Sequence, residues 1–182
     1  SDTSTITKDG SGYISQWDDK SGNDNHVIQS TGSLQPLYSS SSSLAGNKPA
    51  IVYPNTDTGT KLNANVAFNL REIYFVCAYK DGLDKTFDNY DALLSGDNND
   101  WGKPRICGDM DTANLRDEST FTSDVYINGN NTLTSTVLPM PLCIIRGVSG
   151  STFNSTWTIG GNRKYANARN WKGVICEVIG FS

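Results

Sequence analysis

The sequence predicts an all-β protein, a sandwich of two antiparallel sheets, and three observations predict it. Short runs rich in β-branched and aromatic residues recur between polar turns at the spacing of sandwich strands. The 182 residues include 17 Gly, 8 Tyr and 4 Trp but only 19% charged side chains, a profile that suits many strands joined by loops. No window carries apolar residues at i, i+3, i+4 and i+7 over several turns, so no helix longer than a single turn is expected.

The expected strands, in chain order, are "YISQW", "AIVY", "REIYFVCAYK", "YDALLS", "DVYING", "PLCIIRGV", "TWTIGG" and "WKGVICEVIGFS". "REIYFVCAYK" and "VICEVIGF" are nearly continuous apolar stretches, which predicts central strands covered on both faces. "SSSSSLAGNKP" is a low-complexity run of small residues and reads as a mobile surface connection. Asn128-Gly129 follows an alternating strand and suits the two positive φ angles of a type I′ hairpin turn. "TWTIGGNRKYANARNWKGVICEVIGF" is expected to pair its two strands around a long polar loop.

A chain of this length is expected to form one domain, 1–182, with no internal repeat. Its first residue is Ser rather than Met, and it reads as cut from a longer product. A formal net charge of -4 with scattered Lys and Arg offers no footprint for phosphates, so nucleic acid is not an expected partner. No apolar run is long enough to span a bilayer, and no membrane insertion is expected.

Cys77, Cys107, Cys143 and Cys176 form no C-x-x-C pair, which argues against zinc. Cys77, Cys143 and Cys176 lie in apolar runs and are expected buried and reduced, with a disulfide framework as the alternative. The sequons at Asn130 and Asn154 matter only in a eukaryotic secretory pathway.

The usual catalytic constellations are missing. The three glutamates Glu72, Glu118 and Glu177 lie far apart and form no carboxylate pair for glycoside hydrolysis. Asp109 and Asp111 have strand-face spacing but read as a turn. His26 stands alone, without a G-x-S-x-G elbow, and reads as the residue that opens a strand. "GDNNDWG" clusters oxygen donors but fails the calcium-loop spacing at its fifth position. No enzyme and no cofactor are expected, with a calcium ion as the alternative.

Four segments, "SDTSTITKDGSGYISQWDDKSGNDNHVIQSTGSLQPLY", "NKPAIVYPNTDTGTKL", "EIYFVCAYKDG" and "YANARNWKGVICEVIGFS", occur in an order that resembles one family across nearly the whole chain. It is the concanavalin A-like (laminin-G-like) jelly-roll domain of bacterial surface proteins and of bacteriophage tail, fibre and capsid-decorating proteins. The most specific match is W-x-D-K-S-G-N-x-N-H at Trp17, Asp19, Lys20, Ser21, Gly22, Asn23, Asn25 and His26. The second is W-x-G-x-I-x-E-V-I at Trp171, Gly173, Ile175, Glu177, Val178 and Ile179. The family has an apolar strand ending in Asp-Ala just before "SDTSTIT", and that strand is missing here, which implies either a fragment lacking its first strand or an edge supplied by something else. The resemblance implies that Trp17 is buried and that the turn after it is architectural, held by side-chain-to-backbone bonds.

The same resemblance implies a carbohydrate-binding or adhesion module of a virion or extracellular surface protein. Its expected partners are a surface glycan or polysaccharide and other virion or surface-protein subunits. A purely structural fibre or capsid module is the alternative, and a degenerate polysaccharide hydrolase or lyase the third reading. Aromatic rings stack on sugars while Asn, Asp and Arg bond hydroxyls, so two loop segments are candidate ligand sites. One comprises Trp101, Asp97, Asn99 and Arg105; the other comprises Tyr165, Asn167 and Arg169.

Overall fold

The computed structural model describes residues 3–96, 105–115, 124–132, 136–162 and 168–182. Among the described residues there are fourteen strands: β1 (Ile6–Lys8), β2 (Ile14–Trp17), β3 (Val27–Ile28), β4 (Leu37–Ser42), β5 (Lys48–Tyr53), β6 (Leu62–Ala64), β7 (Phe68–Tyr79), β8 (Ala92–Ser95), β9 (Arg105–Cys107), β10 (Asp124–Ile127), β11 (Asn130–Asn131), β12 (Cys143–Ser155), β13 (Thr158–Ile159) and β14 (Gly173–Phe181). Among the described residues the only helical turns are three of 3₁₀ type, each three residues long.

The strands form two antiparallel sheets of seven, packed as a jelly-roll-like sandwich. The first sheet runs β1-β2-β3-β6-β13-β8-β9 and the second β11-β10-β12-β7-β14-β5-β4. β7 and β12 make the longest ladder, and β14 flanks β7 on its other side. Between the sheets lies one core containing Ile51, Tyr53, Leu62, Phe75, Cys77, Tyr79, Leu94, Trp157, Trp171 and Ile175. Trp157 and Trp171 are fully buried, and each satisfies its indole N–H on a carbonyl, Phe68 at 3.0 Å and Ala78 at 3.2 Å. A buried Trp needs such a partner to avoid a desolvation cost.

Each expected strand run contains an observed strand, and Asn128-Gly129 makes the expected turn, with φ of 50° and 86°. Gly173 is needed for a different reason: at φ 122° a Cβ would lie 2.3 Å from the Ala78 carbonyl oxygen. Asp109 lies in a turn, its carbonyl accepting from Thr112 N at 3.1 Å, with Asp111 at φ 60°.

Four expectations need correction. The serine run is not a loose connection: Leu37–Ser42 is edge strand β4, paired with β5. An edge strand needs only one ladder, so poor β-formers are tolerated there. β13 and β14 do not pair with each other: β13 joins β6 and β8 in the first sheet, while β14 joins β5 and β7 in the second. Trp17 packs against the core but is only partly buried, because it ends β2, whose side chains after Ile14 are all half-exposed. β7 and β14 are central in the second sheet, yet the C-terminal half of β14 is open to solvent on its outer face.

The turn after Trp17 is architectural, as the resemblance implied. Asp19 gathers Ser21 N at 2.8 Å, Ser21 Oγ at 2.6 Å and Asn25 N at 3.1 Å on its carboxylate. Its own N–H donates to His26 Nδ1 at 3.0 Å, which ties the ring directly before β3. Burial pushes the Asp19 carboxyl up, but the bonds from Ser21 and Asn25 and the field of His26 hold it below the ordinary value. His26 acts as a loop clamp, and Nδ1 is spent on the backbone.

Candidate functional site

The outer face of the second sheet is divided. Over β5, β14 and the end of β7, the turn Ser43–Ala45 covers Ala50, Ala78 and Val174, with Leu44, Val52 and Cys176 packed around them. Beyond that roof the face is open. Register places Tyr126, Arg146, Tyr74 and Ile179 in one row across β10, β12, β7 and β14. Neighbouring rows hold Ile144, Val76 and Glu177, and Val148, Glu72 and Phe181. Strand alternation turns all of these away from the core. Phe181 is 54% exposed, Ile144 49% and Ile179 45%.

A polar lock sits at the centre of this face. Glu72 Oε1 accepts from Arg146 Nε at 2.6 Å and from the Tyr74 hydroxyl at 2.5 Å. The guanidinium carbon lies 5.2 Å from the Tyr126 ring centre and 5.8 Å from that of Tyr74, so the cation fills the gap between two rings. Phe181 meets Tyr74 edge-on at 6.1 Å. The Tyr74 and Arg146 hydrogen bonds hold the Glu72 carboxyl below its ordinary value. Tyr74 and Tyr126 are two strands apart, roughly 10 Å. The result is an exposed aromatic platform whose rings are braced by Arg146 and by one another.

A second charged cluster lies at one end of the sandwich. Lys172, 2% exposed, places Nζ 3.2 Å from Asp91 Oδ1, 3.1 Å from Asp88 Oδ2 and 3.2 Å from Asp57 Oδ1. The other Asp91 oxygen accepts from the Tyr79 hydroxyl at 2.5 Å, and Lys80 reaches Asp88 at 2.7 Å. Burial pushes the Asp91 carboxyl above its ordinary value against the pull of Tyr79 and Lys172. The Lys172 ammonium is held above its own by Asp91, Asp88 and Asp57, against burial. Beside it the side-chain amide oxygen of Asn170, Oδ1, accepts from Thr58 N and Gly59 N, both at 3.0 Å. Three connecting segments are thus tied together at a point where an ion of the protein's own fills the centre. This is loop anchorage, with the reactive groups spent on one another.

Of the two candidate rims, Asp97, Asn99, Trp101, Tyr165 and Asn167 lie outside the described residues, as does most of the segment weighed for calcium. Arg105 sits on edge strand β9 opposite Ser95. Arg169 stacks over the Tyr90 ring at 4.7 Å, and its carbonyl accepts from Ala92 N. The two arginines are therefore held at opposite ends of β8, about 10 Å apart along the strand, not in one site. The Ser95 hydroxyl donates to the Gly161 carbonyl at 3.0 Å, which joins the residues shortly before each rim segment.

Sequence reasoning missed the open platform because "REIYFVCAYK" and "VICEVIGF" read as buried on both faces. A usable signal was present: Glu72 and Arg146 interrupt apolar runs, and a charge inside a strand marks a solvent-facing position. Among the described residues, no group of three or more His, Cys, Asp or Glu is placed to hold a metal ion. No family model, no curated protein and no solved structure matches the chain.

Proposed function

We propose that the chain is a non-enzymatic carbohydrate-binding or adhesion module of a virion-borne or extracellular surface protein. Its binding surface is the outer face of the second sheet. The observation that carries this reading is the braced row Tyr126–Arg146–Tyr74 with Phe181 beside it, left open next to a roofed half of the same face. Aromatic rings offer flat apolar surface to the C–H faces of a sugar, while the tyrosine hydroxyls and Glu72 meet its hydroxyl groups. Pre-set rings lose little rotamer freedom on binding, which favours affinity from a small surface. The motifs at Trp17–His26 and Trp171–Ile179 add the family resemblance, which is an argument from likeness alone.

A second reading is a structural fibre or capsid module that packs this face against a neighbouring subunit. Ile144 and Ile179 favour it, since exposed aliphatic side chains beside Tyr and Arg are typical of protein interface cores. A glycan array on the isolated chain, run beside sedimentation velocity, separates the two. Selective glycan signals from a monomer support the first reading. Self-association with a blank array supports the second.

A further inference from the structure

The glycan that fits this platform is defined by charge, and the Glu72–Arg146 contact defines it. We infer that the outer face selects an uncharged polysaccharide and that Glu72 sets this selectivity by cancelling the cation at the centre of the platform; this rests on the carbohydrate-binding reading.

Arg146 is the only cation in the row Tyr126–Arg146–Tyr74–Ile179. An arginine between two tyrosines on an open sheet face would be a strong attractor for carboxylated or sulfated sugars, because a guanidinium pairs with such groups in two-point fashion. Here its Nε is already committed to Glu72 Oε1 at 2.6 Å. The same oxygen takes the Tyr74 hydroxyl, so the carboxylate is fixed from two sides and cannot swing away without breaking both bonds. An acidic sugar entering the platform would meet the Glu72 carboxylate beside the cation it sought. Arg71 adds a positive charge near Glu72, and Glu177 on the neighbouring row adds a negative one, so the immediate surface is balanced. What remains is aromatic and aliphatic area with hydroxyl and carboxylate acceptors, which matches a neutral sugar chain. Glu72 is a specificity-determining residue here, and Arg146 serves as a wedge between rings.

The test is affinity electrophoresis of the chain through gels holding neutral polymers (dextran, mannan, xyloglucan) or acidic ones (alginate, hyaluronan, heparin). The expected result is retardation by at least one neutral polymer, none by the acidic set, and no change in the neutral case at about 0.5 M salt, where the Debye length is roughly 4 Å. Glu72→Gln frees the cation and should gain at least tenfold in affinity for an acidic polymer, with the gain lost at that salt concentration. Retardation of the wild type by acidic polymers would overturn the selectivity while leaving the carbohydrate-binding reading intact. A folded Glu72→Gln that gains nothing would remove Glu72 from the role. If Glu72→Gln melts early, the salt response of the wild type decides, since salt-sensitive neutral binding contradicts a cancelled charge. Passage through every gel unretarded would overturn the binding reading and the inference together.

Discussion

Lys172 and Asp91 form an ion pair at 3.2 Å with both side chains out of solvent, 2% and 0% exposed. Taking two charges out of water is costly, and removing one partner leaves the other uncompensated. Lys172→Met should therefore lower stability by about 3–5 kcal/mol. The double variant Lys172→Met/Asp91→Asn should recover much of the loss. Urea unfolding of the four proteins in this cycle measures both effects, and a Lys172→Met curve superposing on the wild type would show that the pair is not structural. The folded ammonium holds its proton more tightly than the unfolded one. Its contribution is thus complete below about pH 10 and is lost as the solution becomes more alkaline.

The opening turn should respond to acid in the opposite sense. Asp19 in the fold is held below its ordinary value, so its contribution is present above about pH 4 and is lost as pH falls through the folded value. Asp19→Ala should cost about 1–2 kcal/mol, mainly through the Ser21 and Asn25 bonds, and should flatten the acid limb of the stability curve. Equal acid sensitivity in the variant would contradict the clamp.

The tryptophans should separate by burial. Trp171→Ala removes a fully buried ring that meets Tyr79 at 5.3 Å, and should cost about 3–5 kcal/mol. Trp17 is half-buried, so Trp17→Ala should cost about 2 kcal/mol. Chemical denaturation ranks the two, and a reversed order would mean that the Trp17 motif carries more of the core than its exposure indicates.

None of the four cysteines is in a disulfide; Cys77, Cys107 and Cys143 are buried and Cys176 is half-buried. Burial pushes the Cys77 and Cys176 thiols up, which slows both. In native protein a thiol reagent should reach Cys176 first and slowly, and the other three only on unfolding. Prompt labelling of Cys77 or Cys143 without denaturant would contradict the buried ladder between β7 and β12.

The strand runs were legible because period-2 patterning and turn chemistry are local. Asn128-Gly129 is a clear case, since two adjacent residues determine the turn. Which strands pair is not local, and so the adjacency of β13 and β14 in sequence does not predict their separation into two sheets. The serine run shows the same limit: β4 is a strand because β5 lies beside it, not because serine favours extension. The partial exposure of Trp17 is not legible because a motif identifies a residue's neighbours in sequence and not what packs over it. The open half of the second sheet was hidden for a related reason. A run such as "REIYFVCAYK" looks alike whether its outward residues are covered by Leu44 or face water.

The most direct test of the account compares binding by the wild type, Tyr126→Ala and Phe181→Ala, with Gln16→Ala on the opposite sheet as control, in the same polysaccharide gels. Tyr126 and Phe181 stand on the open face, where truncation removes ring surface without opening the core. The prediction is that each of the two weakens retardation at least tenfold while the melting temperature moves little, and that Gln16→Ala changes neither. Undiminished retardation in both aromatic variants would contradict the account and move the binding surface away from this face.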